Sequence, residues 1–231
     1  LWSETKNLCL ADGIQISLNI VPDNNGGAYV IWQDHRNGFV DIYGVHIDSD
    51  GNNYEGWPEN GLPLASGNHS QHSHTFWQDG ENGAILAYID EKEGATTIQA
   101  LRVLSGGEIA WSRVLASDNV ENTGVRIAPM GNDAYGFAYI VKESGVRNIC
   151  VKAIDKDGVD LWENEKILYR SNKEQINPRA TNASDGGFIV AWEDNRNTYM
   201  PTTDIYVQKI GIDGQVLWEA DGLPIVIDEF E

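Results

Sequence analysis

The stretch WQDHRNGFVDIYGVHIDSDGNNYEGW, residues 32–57, returns 160 residues later as WEDNRNTYMPTTDIYVQKIGIDGQVLW, residues 192–218. A pattern written twice in one chain is either two copies of a site or two copies of a structural unit. Working outward from the pair, four segments share one order of events. Each opens near Gln15, Gln71, Gly124 or Gln175 and passes a tight turn at 24–27, 80–83, 131–133 or 184–187. Each then enters an apolar strand that ends in Trp32, Tyr88, Tyr139 or Trp192. A polar loop leads to a third strand, a glycine turn (Gly51, Gly107, Gly158, Gly214) and a tryptophan: Trp57, Trp111, Trp162 or Trp218. These tryptophans lie 54, 51 and 56 residues apart, and Trp2 precedes Trp57 by 55.

Four short strands repeating every 51–56 residues predict an all-β fold, a β-propeller built from four-stranded repeats. The repeats run over approximately 11–66, 67–117, 118–171 and 172–227, with 1–10 as the final strand of a preceding repeat. Together they make residues 1–231 a single propeller domain or a fragment of a larger one. The second strands are apolar on both faces, Ala28, Val30 and Trp32 on one and Tyr29 and Ile31 on the other, as a strand between neighbouring blades requires. An arc that does not close leaves strand edges open, which predicts a homodimer through the open blade edges.

Composition narrows the functional classes. The chain has 231 residues, 41% of them hydrophobic, with 24 Gly, many in the Asn-Gly, Asp-Gly and Gly-Gly pairs that mark hairpins. A net charge of −19 repels nucleic acid and anionic lipid, so no nucleic-acid partner is expected. No apolar run approaches the 18 residues a membrane span needs. The two cysteines, Cys9 and Cys150, make neither a disulfide framework nor a CxxC site.

The pattern W-[EQ]-D-x-R-N…D-I-Y…D-x-D-G…W…G-L-P resembles the tandem β-propeller repeats of secreted and surface-exposed bacterial proteins, often of Bacteroidetes type. The likeness is strongest over 32–63 and 192–224. The Gly-x-x-x-Trp turn is similar to the blade motifs of quinoprotein-like propellers and, more loosely, to the Asp-boxes of sialidase-like ones. Those motifs are structural in their families. The resemblance therefore implies an extracellular or cell-surface scaffold or interaction module and not a specific reaction; loops presented to a protein or glycan ligand, and no cofactor other than calcium, are expected.

Several residues could carry chemistry. Asp34, Arg36 and Asp41 in one unit and Asp194, Arg196 and Asp204 in another could bind a sugar or serve as acid and base. The alternative is that each arginine braces its own loop, a role that, unlike catalysis, recurs from repeat to repeat. His72 and His74 in HSQHSH fall on one face of a strand and would hold zinc with His69 or a carboxylate. Asp48, Asp50, Asp155 and Asp157 echo oxygen-rich calcium loops, although Asp-Gly turns explain them without a metal. Phe39, Tyr54 and Tyr199 are loop aromatics that could stack on sugar rings. The expectation is a non-catalytic extracellular module. The alternatives are a propeller glycoside hydrolase or lyase using the loop carboxylates, and a structural spacer within a larger surface protein.

Overall fold

The computed structural model describes residues 5–117, 120–121, 124–197 and 202–227. Sixteen strands and no helix occur among them. The first sheet holds β1 (Gln15–Pro22), β2 (Ala28–Asp34), β3 (Asp41–Ile47) and β4 (Leu62–Ala65). The second holds β5 (Ser70–Gln78), β6 (Ala84–Lys92), β7 (Ala95–Val103) and β8 (Ile109–Ala116). The third holds β9 (Arg126–Met130), β10 (Ala134–Glu143), β11 (Val146–Asp155) and β12 (Lys166–Ile167). The fourth holds β13 (Gln175–Asn182), β14 (Phe188–Asp194), β15 (Asp204–Ile210) and β16 (Leu223–Val226). Each sheet is an antiparallel meander in chain order, one blade per repeat. The chain divides into two compact units, Leu1–Ala116 and Ser117–Glu231, at the junction of the second and third repeats.

Within the first unit, blades one and two bury Tyr29, Ile31 and Ile42 of one against Phe76, Leu86 and Leu101 of the other. Within the second unit, Ala138, Ile140 and Ile149 of blade three pack with Phe188, Val190 and Trp192 of blade four. Burial of this apolar area, at about 25 cal/mol per Å², is the main force holding blade to blade. The docking tryptophans add direction. Trp57 donates its indole N–H to the Ser105 carbonyl of the next blade at 2.7 Å, and Trp162 does the same to Ile212 at 3.0 Å. Trp111 is partly buried, Trp218 is 39% exposed, and Trp2 lies outside the described residues.

Two local features depart from the sequence pattern. The expected strand over 1–10 is absent from residues 5–10, where each of the other fourth strands pairs with the third strand of its own sheet. Leu8 and Cys9 lie instead against the Trp32, Tyr43, Val45 and Ile47 face of blade one. The second feature is a bulge in the first strand of three blades, with positive φ at Ser17 (54°), Ser73 (52°) and Asn177 (53°). Register shifts there, so residues on either side of the bulge no longer alternate faces.

Candidate functional site

The repeated motif closes on itself. Asp34 is fully buried; its Oδ2 accepts from Trp32 Nε1 at 2.8 Å and from Arg36 Nη2 at 2.6 Å. Its Oδ1 accepts from the Arg36 backbone N–H at 3.0 Å and from Arg36 Nε at 2.8 Å. Burial pushes this carboxyl up, and the Arg36 and Trp32 hydrogen bonds more than offset that, leaving it at about 2. Arg36 also donates to the Asn60 carbonyl and lies 4.0 Å over the Tyr43 ring. Asn37 then bridges Asp41 Oδ2 at 2.9 Å to the Tyr43 hydroxyl at 3.2 Å. Gly61, at φ 87°, sits against the Trp32 ring where a Cβ would approach Cη2 to 2.5 Å, which accounts for the glycine of G-L-P.

Blade four repeats the arrangement. Asp194 accepts from Trp192 Nε1 at 3.0 Å, the Arg196 backbone N–H at 2.8 Å and Arg196 Nη2 at 2.6 Å. Asn197 joins Asp204 to Tyr206, and Gly222 lies against Trp192. All four carboxylates named for acid–base work, Asp34, Asp41, Asp194 and Asp204, are 0% exposed. Each of the two arginines binds a carboxylate of its own blade. The arrangement is a brace, and the rest of the chain shows what it braces. In blades two and three the second and third strands run on to a two-residue turn, Glu93-Gly94 and Ser144-Gly145, with positive φ at both positions. Such a turn closes a hairpin unaided. Only blades one and four carry a longer loop there, and only they carry the arginine.

The other predicted residues do not gather. The bulge at Ser73 separates His72 from His74: His72 Nε2 faces Glu91 at 3.4 Å, while His74 is 6% exposed. Burial pushes the His74 imidazole down to about 4, so it is neutral at pH 7. Asp48 and Asp155 accept the N–H groups of their own turns, Asp50 and Asn52 in one case and Asp157 and Val159 in the other. Among the described residues no group of three or more His, Cys, Asp or Glu converges as a metal site. Tyr54 is half-buried and stacks on His46, 3.8 Å between ring centres. Phe39 stays 44% exposed, and Tyr199 lies outside the described residues. Both cysteines are free; burial raises the Cys150 thiol far above its ordinary range.

Blade two retains the aspartate without the brace. Asp90 pairs with Thr97 across the hairpin where Asp34 pairs with Asp41, but Tyr88 replaces the tryptophan and Lys92 the arginine. Asp90 Oδ1 meets His69 Nε2 at 2.8 Å and accepts from Gln71 Nε2 at 3.0 Å. These residues line a hollow of about 310 Å³ with Pro63, Leu64, Ala65, Ser66 and Tyr88. His69 and Asp90 are about a quarter and a fifth exposed. Gln71 is 3% exposed, and its Oε1 has no partner among the described residues. Its counterpart Gln175 is fully used, its Oε1 accepting from Ile149 N–H at 2.8 Å and its Nε2 donating to the Tyr169 carbonyl at 3.0 Å. Sequence reasoning missed this cluster. The signal was Asp90 standing two residues before a lysine where two other units have arginine.

No protein-family model matches the chain, and no curated protein matches it. Among solved structures it is similar to an endo-arabinase from Bacteroides thetaiotaomicron, with a TM-score of 0.51 and 12% identity over 89% of this chain and 80% of that one. It is also similar to a thermostable family-43 glycoside hydrolase (TM-score 0.49, 12% identity, 93% and 75% covered). A third likeness is to an α-L-arabinanase from Cellvibrio cellulosa (TM-score 0.47, 14% identity, 94% and 78% covered). At 12% identity the likeness to the endo-arabinase is one of fold. With the four-stranded meanders of every repeat, it makes the protein an all-β member of the β-propeller class.

Proposed function

We propose that this chain is a carbohydrate-directed β-propeller module that binds its ligand without cleaving it and works outside the cell or at its surface. The observation that carries the reading is the closure of both full motif copies: Asp34 and Asp194 are fully buried and held by Arg36 and Arg196 of their own blades. A glycosidase needs two carboxyl groups about 5–9.5 Å apart across one sugar. The hollow in blade two is lined by one carboxylate, Asp90.

A second reading, hydrolysis, has its own support. The similar solved structures are named as an endo-arabinase, an arabinanase and a glycoside hydrolase, and those names speak for a hydrolase more directly than for a binding module. One pair of measurements separates the two. The purified chain is run through gels containing arabinan, xylan or cellulose derivatives, and the same polysaccharides are assayed for new reducing ends. Retardation without reducing ends supports binding. Reducing ends that disappear in a carboxylate variant establish the hydrolase. Self-association through blade edges belongs to the same proposal, supported by the exposed Ile14, Ile16, Leu18 and Ile20 at the start of blade one. Light scattering that shows a monomer at all concentrations removes it.

A further inference from the structure

We infer that the hollow between His69, Gln71, Tyr88 and Asp90 is the binding site itself, and that it takes a neutral, polyhydroxylated ring, a sugar residue of an oligosaccharide. The inference rests on the carbohydrate reading and gives it a place. Asp90 owes its availability to the hairpin. In blades one and four the equivalent carboxylate is consumed by a tryptophan N–H and an arginine that hold a loop. Blade two has the two-residue turn and no such loop, so its carboxylate holds no loop and meets only His69 and Gln71, both of the same hollow. It stands at the wall of a hollow, and its two contacts among the described residues both fall on Oδ1.

The second observation is independent of the first. Gln71 Oε1 is buried in the same wall without a partner among the described residues, and a buried carbonyl oxygen left unsatisfied is costly, roughly 1–3 kcal/mol. A ligand hydroxyl donating to it removes that cost. The Tyr88 hydroxyl is pushed up to about 12 by burial and by the Asp90 charge, so it remains protonated and can donate in return. The wall thus offers two acceptors and a donor, and what it exposes is almost wholly polar, Leu64 and Ala65 being buried beneath it. The vicinal hydroxyls of a sugar ring match that layout. An anionic ligand does not, because it would meet Asp90 and a chain of net charge −19. The volume, about 310 Å³, is at the lower end of small-molecule sites and suits one ring of a chain rather than an extended segment.

The test uses the whole chain and neutral arabino-, xylo- and cello-oligosaccharides as probes, with titration calorimetry as the readout. Three variants are compared with the wild type: Asp90→Asn, Gln71→Leu and, as a surface change that leaves the core alone, His69→Ala. The inference expects one oligosaccharide series to bind and to lose about tenfold or more in affinity in Asp90→Asn and Gln71→Leu, with a smaller loss in His69→Ala. Oligosaccharide binding that is unchanged in all three overturns this site and leaves the carbohydrate reading standing. Absence of binding to every oligosaccharide and polysaccharide overturns the reading and the site together. Calcium or zinc binding that disappears in Asp90→Asn, with no sugar bound, overturns the ligand class.

Discussion

Blades one and four differ from blade two at one point, the passage from second to third strand, and that difference separates what the repeat does from what the protein does with it. Where the passage is a loop, a buried Trp-Asp-Arg brace holds it. Where it is a two-residue turn, the brace is dispensable and its aspartate remains at the edge of a hollow. Conserving a residue while dropping its partner changes its role from structural to available. The largest effect should come from breaking the brace. Asp34→Ala leaves Arg36, whose side chain is 18% exposed, without its carboxylate and the Trp32 indole without an acceptor. A loss of about 3–5 kcal/mol in urea unfolding is expected. Asp90→Ala leaves the buried Gln71 Nε2 without its acceptor and should cost about 1–2 kcal/mol, less than the brace. Equal losses for the two would mean that blade two is braced after all.

Acid should separate the same regions by pH. His74 of blade two is held near 4 by burial, against an ordinary 6.5, so the unfolded chain takes up its proton first. Stability from that site is complete above about pH 6.5 and declines as pH falls to about 4, by up to roughly 3 kcal/mol. Asp34 of blade one is held at about 2 against an ordinary 3.8. Its contribution, about 2 kcal/mol, is present above pH 3.8 and is lost only as pH falls toward 2. Unfolding measured from pH 7 to 2 should therefore flatten between about 6.5 and 4 in His74→Leu and keep its lower branch. A His74→Leu protein with an unchanged upper branch would remove the neutral buried imidazole from the account.

A smaller contrast lies in the docking tryptophans. Trp57 is buried and hydrogen-bonded to the next blade, whereas Trp218 occupies the same place in its repeat and is 39% exposed. Trp57→Phe should cost about 1–2 kcal/mol and Trp218→Phe less than about 0.5, read from denaturation midpoints. If the two substitutions cost the same at high protein concentration and differ at low concentration, Trp218 is docking onto a second molecule.

The architecture was legible because repetition turns one ambiguous strand into four aligned ones. The tryptophan period, the hairpin glycines and the two-faced second strands all pointed to blades, and each has its place in the sheets. Three things were not legible, each for a physical reason. The bulge that parts His72 from His74 depends on Ser73 entering the left-handed region, which no local composition announces. Residues 5–10 carry the apolar pattern of a fourth strand, but pairing needs a neighbour that pattern alone does not supply. The His69–Asp90 contact joins the approach to one strand with the end of the next, so it exists only once the hairpin register is set. What could be read was a mismatch, an aspartate kept where its arginine had gone.

Restoring that arginine is the finest test of the comparison. Lys92 lies two residues from Asp90 on the same strand, so both side chains project from one face and Lys92→Arg can reach the carboxylate. Tyr88→Trp adds the indole donor that Asp34 and Asp194 enjoy. The double substitution should nevertheless gain no more than about 1 kcal/mol, because residue 99 is a glutamine and offers no aromatic ring beneath the guanidinium as Tyr43 does. Its effect on ligand binding should be far larger than its effect on stability, since the carboxylate would turn from the hollow to the arginine. Affinity gels and urea unfolding of the same preparation measure both at once. If Lys92→Arg alone, which keeps the Tyr88 hydroxyl, is slightly more stable and no longer retarded, the brace and the binding site compete for one aspartate. A protein that gains the stability and keeps its ligand would place the binding determinants elsewhere in the blade.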